Sequence, residues 1–292
     1  MTHFSRRLLF SAAGLGVGSL ALAACSGADE IGSTNGGDSG DSKGSDAGGT
    51  TTLKVGASPK PHAEILQYVQ DNLAADAGLS LDLTPYTDYQ IPNQALESGD
   101  IDANFYQTPN FLKEQVDEKG YDFFGFEGIH IEPLGLYSES ITKLDDLKDG
   151  DEIAIANDPA NRGRGLGLLA DNDVITLKDG VEPSEATTSD IAENPKNLSF
   201  TELEAAQIPR ALGDFAAAVV NGNYALEAGL KPSDEAIVLE DGKDSPYANM
   251  LVVRSEDKDD EHLKKLDELL HSDDVKKFIE KTYTDGSVIP AF

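Results

Sequence analysis

Positive charge is scarce in this chain. Its 292 residues carry 23 Lys and Arg against 53 Asp and Glu, a formal net charge of -30 at pH 7. A duplex-binding surface must be basic to neutralise phosphates, so no nucleic-acid partner is expected. Electrostatic docking on an anionic lipid surface is disfavoured for the same reason. Cysteine is scarcer still: there is one. That excludes an intramolecular disulfide framework and a Cys-based zinc cage. Trp is absent and Met occurs twice. His62, His130, His262 and His271 are scattered, without metal-ligand spacing. Neither G-x-S-x-G nor H-E-x-x-H occurs, and Asp145-Asp146 and Asp259-Asp260-Glu261 read as solvated faces. The expectation is a non-enzymatic protein with no metal and no other cofactor; the alternatives are a secreted hydrolase and a metal-binding protein in which folding gathers two of these histidines. A hydrophobic share of 39% is too high for a disordered chain, and the length suits one large or two modest domains.

The lone cysteine is informative by position. Arg6 and Arg7 precede a run of apolar and small residues, Leu8 to Leu22, too short to span a membrane and suited to a signal-peptide core. It ends in Leu22-Ala23-Ala24-Cys25, which resembles the lipobox of bacterial lipoproteins. That resemblance implies a signal peptide at 1–24 and acylation of Cys25, palmitate being one such acyl group. The mature chain would then hang from the extracytoplasmic face of the cell membrane. The other reading is an ordinary signal peptide that contains a Cys. Ser5-Arg6-Arg7-Leu8-Leu9-Phe10 also looks like a twin-arginine export signal, although ordinary signal peptides often carry two basic residues.

Residues 25–52 read as the lipidated Cys and a tether. From Ser26 to Thr52 there are eight Gly, five Ser and four Thr, with Ile31 the only large apolar residue. Such a segment cannot bury enough surface to offset its ordering entropy. As a flexible coil it spans roughly 30 Å on average. The remaining body, 53–292, holds 20 basic and 48 acidic residues, a net charge of -28.

Within that body, apolar runs alternate with amphipathic stretches. Strands are expected at 53–57, 79–85, 101–106, 152–156, 198–201, 215–219, 236–239 and 249–254, with an extended run over 129–137. Helices are expected at 62–75, 91–97, 110–119, 165–172, 205–212, 224–228, 259–271 and 273–282. This rhythm predicts an α/β fold with mostly parallel sheets. Two series of similar size point to two α/β lobes, 53–134 with 248–292, and 135–247. The chain would cross between them near 129–137 and 245–250, forming a hinge beside a ligand cleft.

Ligands in open α/β sheets meet the loops after the strands' carboxyl ends. Those loops are rich in aromatics and carboxamides. Tyr86, Tyr89 and Tyr106 either wall an apolar group or pack at the cleft edge. Arg164, between Gly163 and Gly165 in the loop Asn157 to Gly165, is placed at a helix N-terminus, where a guanidinium fork and free N–H groups hold a carboxylate. Arg162 and Arg164 have the alternative of pairing with surface acids. Asn221 and Asn249 either accept from an ammonium group or cap turns.

Several longer segments then match a family. Asp88-Tyr89-Gln90-Ile91-Pro92-Asn93-Gln94-Ala95-Leu96, Gly99-Asp100-Ile101-Asp102-Ala103-Asn104 and Asn157-Asp158-Pro159-Ala160-Asn161 are three of them. Glu193 to Leu198, Glu202 to Arg210 and Ser245-Pro246-Tyr247-Ala248-Asn249 are three more. Together they resemble the NlpA/MetQ lipoproteins, the substrate-binding proteins of methionine ABC importers. The resemblance implies a type II periplasmic-binding-protein fold and methionine, or a methionine-containing dipeptide or other small amino acid, held between the lobes. It implies as partners an importer permease with its ATPase subunit, and the membrane through lipid on Cys25. It places Arg164 on the ligand carboxylate, Asn221 and Asn249 on its amino and carboxylate groups, and Tyr86, Tyr89 and Tyr106 around its side chain. Asn161 lies in a matching motif. Where many members read Gln-His-x-Pro-Tyr, this chain reads Gln107-Thr108-Pro109-Asn110-Phe111, so Thr108 stands at the position of a ligand-binding His.

Overall fold

The structure, a computed structural model, describes residues 49–292 except Asp244. The signal segment, Cys25 and nearly all of the tether lie outside the described residues. In chain order the main elements are β1 (Thr51–Ala57), α1 (Glu64–Asn72), β2 (Leu79–Pro85), α2 (Ile91–Glu97), β3 (Ala103–Gln107), α3 (Pro109–Lys119), β4 (Phe123–Ile131), β5 (Gly135–Tyr137), β6 (Glu152–Ala156), α4 (Pro159–Asp171), β7 (Thr176–Leu177), β8 (Ile191–Glu193), β9 (Ser199–Leu203) and β10 (Ala217–Val220). They continue with α5 (Gly222–Ala228), α6 (Pro232–Glu235), β11 (Val238–Leu239), β12 (Asn249–Arg254), α7 (Glu261–Leu270), α8 (Asp273–Thr282) and β13 (Ile289–Pro290). Strand β1 starts at Thr51, so the last two residues assigned to the tether pair with Leu79 and Ser80. Among the described residues no helix is long and apolar enough to cross a membrane.

Two sheets organise the chain, one for each α/β lobe. The first runs β13-β4-β12-β3-β1-β2 and the second β11-β5-β10-β6-β9. The chain leaves the first sheet after β4, passes through Glu132-Pro133-Leu134 and enters the second at β5. It returns after β11 and re-enters the first at β12. The extended run expected over 129–137 is therefore two strands in two sheets. The sheets are mixed rather than mostly parallel. β1 runs parallel to β2 and β3, and β6 to β9 and β10, but β12 is antiparallel to β3 and β4, and β5 to β10 and β11. The antiparallel pairings come from the strands at the crossings, which are joined to the other sheet and have no crossover helix to turn them around.

Helix faces follow from apolar spacing and caps. In α7, Leu263, Leu266 and Leu270 share a buried face, and the Asp260 carboxylate accepts from the His262 and Leu263 N–H groups. In α8, Val275 and Ile279 are buried one turn apart, and Ser272 caps the start. Both faces pack with Ile65, Leu66 and Val69 of α1 onto Leu53, Val55, Phe105 and Leu251 of the first sheet. Each fully buried leucine contributes about 2 kcal/mol. The C-terminal helices thus belong to the first sheet, although every strand of the second, from β5 to β11, intervenes in the sequence. In the second sheet, Ile153, Ile155 and Val219 meet Leu166 and Leu169 of α4.

The helix expected over 205–212 is instead a run of tighter 3-10 turns, Ala205–Asp214. Pro209 sits inside it and has no N–H to donate, which disfavours a regular α-helical ladder.

Candidate functional site

One cavity collects polar groups from both sheets and from the crossings. Tyr106, Gln107 and Thr108 come from the end of β3, Phe111 from α3, and Tyr89 from the loop before α2. Glu132 comes from the first crossing, Asn161 and Arg164 from α4, Asn221, Gly222 and Asn223 from the β10–α5 junction, and Asn249 from the start of β12. Seven of the eight residues selected from sequence line this cavity: Tyr89, Tyr106, Thr108, Asn161, Arg164, Asn221 and Asn249.

Tyr86 does not. Its ring packs with Leu96, Ile101, Met250 and Val252 on the other face of the first sheet. A Cβ on Gly56 would stand 2.7 Å from that ring, so the glycine makes room for it. Tyr86 is therefore a packing residue, as one of its two sequence readings allowed.

The helix bearing Arg164 starts six residues earlier than the sequence rhythm indicated (at Pro159, with Asp158 as its N-cap). Arg164 lies beyond the first turn, and the free N–H groups expected beside it are elsewhere and already used. Asp158 Oδ1 accepts from Asn161 N at 2.9 Å, and Glu114 Oε2 on α3 accepts from Ala160 N at 2.7 Å. The glycines that looked like a turn are close-packing positions. A Cβ on Gly163 would lie 2.5 Å from the Ser184 carbonyl oxygen, and one on Gly167 2.9 Å from Pro183.

Arg164 itself is buried and held on three sides. Its Nε donates to Glu240 Oε1 at 2.9 Å, its Nη2 to the Glu132 carbonyl at 3.0 Å, and Nη2 also pairs closely with Glu240 Oε2. The guanidinium carbon stands 4.3 Å from the Tyr247 ring centre. These contacts engage Nε and Nη2; Nη1 is uncommitted among the described hydrogen bonds. Arg162, by contrast, reaches Glu202 at 3.2 Å and is absent from the cavity lining.

The asparagines are sorted by polarity. Asn221 Nδ2 donates to Asn161 Oδ1 at 2.7 Å, which leaves the Asn221 carbonyl oxygen as the free acceptor. Asn161 Nδ2 in turn donates to Asp158 Oδ1 at 2.8 Å, so Asn161 positions Asn221. Asn249 Oδ1 faces His62 Nε2 at 3.1 Å, which leaves the Asn249 amide as a donor. The aromatic side is a cluster in which Tyr89 lies 5.9 Å from Tyr106 and 5.6 Å from Phe111 between ring centres. Thr108 stands at the N-cap position of α3 without a side-chain capping bond and spends its hydroxyl on Asn110 Oδ1 at 2.6 Å.

Sequence reasoning missed Glu132, Asn223, Gln107 and Phe111. Glu132 had a signal: a single acid among apolar residues in Ile131-Glu132-Pro133-Leu134. It is only 5% exposed. Burial pushes its carboxyl pKa up, opposed by the positions of His62 and Arg164. Asn223 is as deeply buried. Its Oδ1 accepts from Tyr89 Oη at 2.6 Å across the cleft, while its Nδ2 faces the Glu227 carboxyl without forming a hydrogen bond. Gln107 sits in a closed amide network with Asn93 and Asn104 that stiffens the wall. Gly222 allows this arrangement, since a Cβ there would lie 2.7 Å from Glu132 Cβ.

The histidines that looked scattered are partly gathered. His62, His130 and Glu132 place ligating atoms within 4.8 Å of one another, all buried. His130 Nε2 is 2.7 Å from Glu132 Oε1 and His62 Nε2 is 3.2 Å from it. A metal-bound imidazole normally donates its other N–H to an acceptor. Here neither Nδ1 has a hydrogen-bond partner; the Lys60 backbone faces His62 without forming one. The donor set thus fits a metal poorly.

The cavity therefore offers donors at Asn249 Nδ2, Asn223 Nδ2 and Arg164, acceptors at Asn221 Oδ1 and Glu132, and an aromatic wall. A small zwitterion with an apolar side chain complements all three.

Glu227, on α5 behind this site, is pushed up to about 7 by burial, with the Glu132 charge adding to the effect. A carboxyl raised on folding contributes stability below its unfolded pKa and loses it as pH rises through the folded value. Glu227→Gln is expected to raise the melting temperature at pH 8 and leave it nearly unchanged at pH 4. Thermal unfolding at the two pH values checks this.

Comparison with known proteins adds the following. Residues 53–292 match the family model described as NlpA lipoprotein. The chain is 40% identical over 281 residues to the D-methionine-binding lipoprotein MetQ of Salmonella typhi, covering 96% of each. It is 38% identical over 274 residues to the methionine-binding lipoprotein MetQ of Bacillus subtilis, covering 92% of this chain and 93% of that one. Among solved structures, a nutrient binding protein from Burkholderia cenocepacia bound to methionine superposes with a TM-score of 0.79 at 44% identity, over 82% of this chain and all of that one. A lipoprotein from Actinomyces odontolyticus superposes with a TM-score of 0.79 at 48% identity, over 82% and 99%. These likenesses accord with the two-lobe periplasmic-binding-protein fold seen in the sheets.

Proposed function

The chain belongs to the NlpA lipoprotein family, and on that premise we propose that it captures methionine between its lobes and delivers it to an ABC importer. The carrying observation is that neighbours fix which end of Asn221 and of Asn249 is left for a ligand, an acceptor at one and a donor at the other, beside a cluster of aromatic rings. In this reading Arg164, Asn223 and Asn249 hold the ligand carboxylate, while Glu132 and Asn221 accept from its ammonium group. Tyr89, Tyr106 and Phe111 wall the thioether side chain, and Thr108 adds a short wall with its hydroxyl already spent. The relatives' names and the methionine-bound neighbour support the ligand class.

The wider assignment follows. Lobe 1 comprises 51–134 with 248–292, its start moved to the first residue of β1, and lobe 2 comprises 135–247. Residues 1–24 are the signal peptide, and Cys25 carries the lipid that anchors the protein at the extracytoplasmic face. The closed lobes then present a joint surface to the permease and its ATPase subunit. Ligand must bind the closed arrangement better than the open one for closure to follow. Two hydrogen bonds support this reading, Tyr89 to Asn223 and the Ala160 N–H to Glu114. Binding requires no chemical step, and the site residues act only by complementarity.

Calorimetry of the soluble body with L-methionine, D-methionine, a methionyl dipeptide and sulfate tests this. One-to-one binding of a methionine enantiomer, with sulfate silent, is the expected result. Heat from sulfate alone, or from none of the amino-acid ligands, would sink it.

A further inference from the structure

Glu132 raises a physical problem. A carboxylate this deeply buried must be stabilised or it takes up a proton, and a neutral carboxylic acid is a poor receptor for ammonium. Arg164 does not supply the partner directly: its fork is engaged by Glu240, and it touches only the Glu132 backbone carbonyl. The side chains in contact with the Glu132 carboxyl are the two imidazoles, and the Asn223 backbone N–H also favours its charged form. His130, on β4, lies 2.7 Å away through Nε2, and His62, in the turn before α1, lies 3.2 Å away.

Proton placement follows from hydrogen-bond accounting. If Glu132 carried the proton and donated it to His130 Nε2, His130 would carry its own proton on Nδ1. That N–H would be buried without an acceptor, a costly arrangement. With the proton on Nε2, His130 donates to Glu132 and leaves only a bare lone pair unpaired. The same tautomer gives His62 one Nε2 proton, shared between Asn249 Oδ1 at 3.1 Å and Glu132 Oε1 at 3.2 Å. Burial lowers the pKa of His62 to about 4 and of His130 to about 3, which keeps both rings neutral at physiological pH. Their orientation is fixed by edge-to-face packing. His62 stands 4.8 Å from both His130 and Phe105, and Phe105 stands 5.2 Å from His130, between ring centres.

We propose that His62 and His130 are specificity-determining positioning residues: as neutral donors from Nε2 they hold Glu132 as an aimed carboxylate, so the site takes a free α-ammonium group and rejects amino acids acylated on nitrogen. This deepens the preceding reading and rests on it. His62 also fixes the Asn249 amide as a donor, which links recognition of the two ends of the ligand through one ring. Other groups that influence Glu132 electrostatically are Arg164 on α4, Glu227 on α5, Tyr89 before α2 and Tyr283 after α8. The phenols are pushed up by burial and stay neutral, while Glu227 titrates near neutrality.

The test uses the soluble body in a Glu227→Gln background, which removes the neighbouring carboxyl titration. L-Methionine and N-acetyl-L-methionine are titrated from pH 5 to 8 into the parent, His130→Phe, His130→Gln and Glu132→Gln. Phe keeps the ring packing but removes the donor, whereas Gln places a donor near the old Nε2. In His130→Phe, the pH below which methionine affinity is lost is expected to rise by about one unit or more, with preference over the acetylated ligand falling about tenfold. His130→Gln is expected to return both toward the parent. Histidine-ring nitrogen NMR is expected to show both rings neutral and protonated on Nε2.

The failures are separable. Glu132→Gln with undiminished methionine affinity would remove Glu132 from the ligand site and overturn the underlying reading. A weak Glu132→Gln beside a His130→Phe that matches the parent in profile and preference would overturn only the histidine role. So would an Nδ1–H tautomer at His130. Stoichiometric binding of zinc alone, lost in His130→Phe, would make the cluster a metal site instead.

Discussion

Arg164→Ala is expected to weaken methionine binding by about 3 kcal/mol or more, roughly 150-fold. The guanidinium is buried, bidentate on Glu240 and stacked near Tyr247, and its uncommitted Nη1 is the cationic donor available to a ligand carboxylate. Truncation removes that donor and leaves Glu240 without its partner. Breaking a buried pair from one side is strongly destabilising, so the melting temperature should fall as well. A double variant, Arg164→Ala with Glu240→Gln, separates the two effects. It is expected to recover much of the lost stability and none of the affinity. Calorimetry with L-methionine and thermal unfolding provide the two readouts. Wild-type affinity in Arg164→Ala would show that the arginine only braces the second crossing. Arg162→Ala, at a partly exposed pair with Glu202, should change affinity little.

Glu132→Gln should move binding and stability in opposite directions. Loss of the acceptor charge facing a desolvated ammonium group is expected to cost about 2 to 3 kcal/mol of methionine affinity, roughly 30- to 150-fold. Stability should rise. The folded-state pKa of Glu132 is raised by burial, so its contribution is present below the unfolded pKa and is lost as pH rises through the folded value. Removing the carboxyl removes that loss, and the gain in melting temperature should appear at neutral pH and vanish at acidic pH, where both states are protonated. A variant that is less stable at pH 7 and binds methionine normally would make Glu132 a structural residue. The opposed signs are expected of a group kept for binding at a cost in stability.

Much of the architecture was legible because its signals are local. The apolar faces of α7 and α8, the buried run of β12 and the alternation of elements depend on neighbours a few residues apart. Misreadings arose where a local pattern had a tertiary cause. The glycines around Arg164 resembled a helix-initiating turn, but they serve the contact of α4 with Ser184 and Pro183. Tyr86 and Tyr89 are three residues apart in one loop, yet one packs behind the first sheet and the other lines the cavity. No sequence rule distinguishes them.

The sequence by itself determined the family, the two-series α/β layout and seven of the residues that line the cavity, and it carries the likeness of Leu22-Ala23-Ala24-Cys25 to a lipobox. Only the tertiary structure decided what each polar group offers. An asparagine is both donor and acceptor until a neighbour takes one side, and the neighbours of Asn221 and Asn249 are Asn161 and His62, 60 and 187 residues away. The same holds for Glu132, whose charge state depends on burial and on two imidazoles brought to it by β4 and by the turn before α1. Composition put these groups in the chain; the register of β4 against β12 and the path of the first crossing set them around one carboxylate.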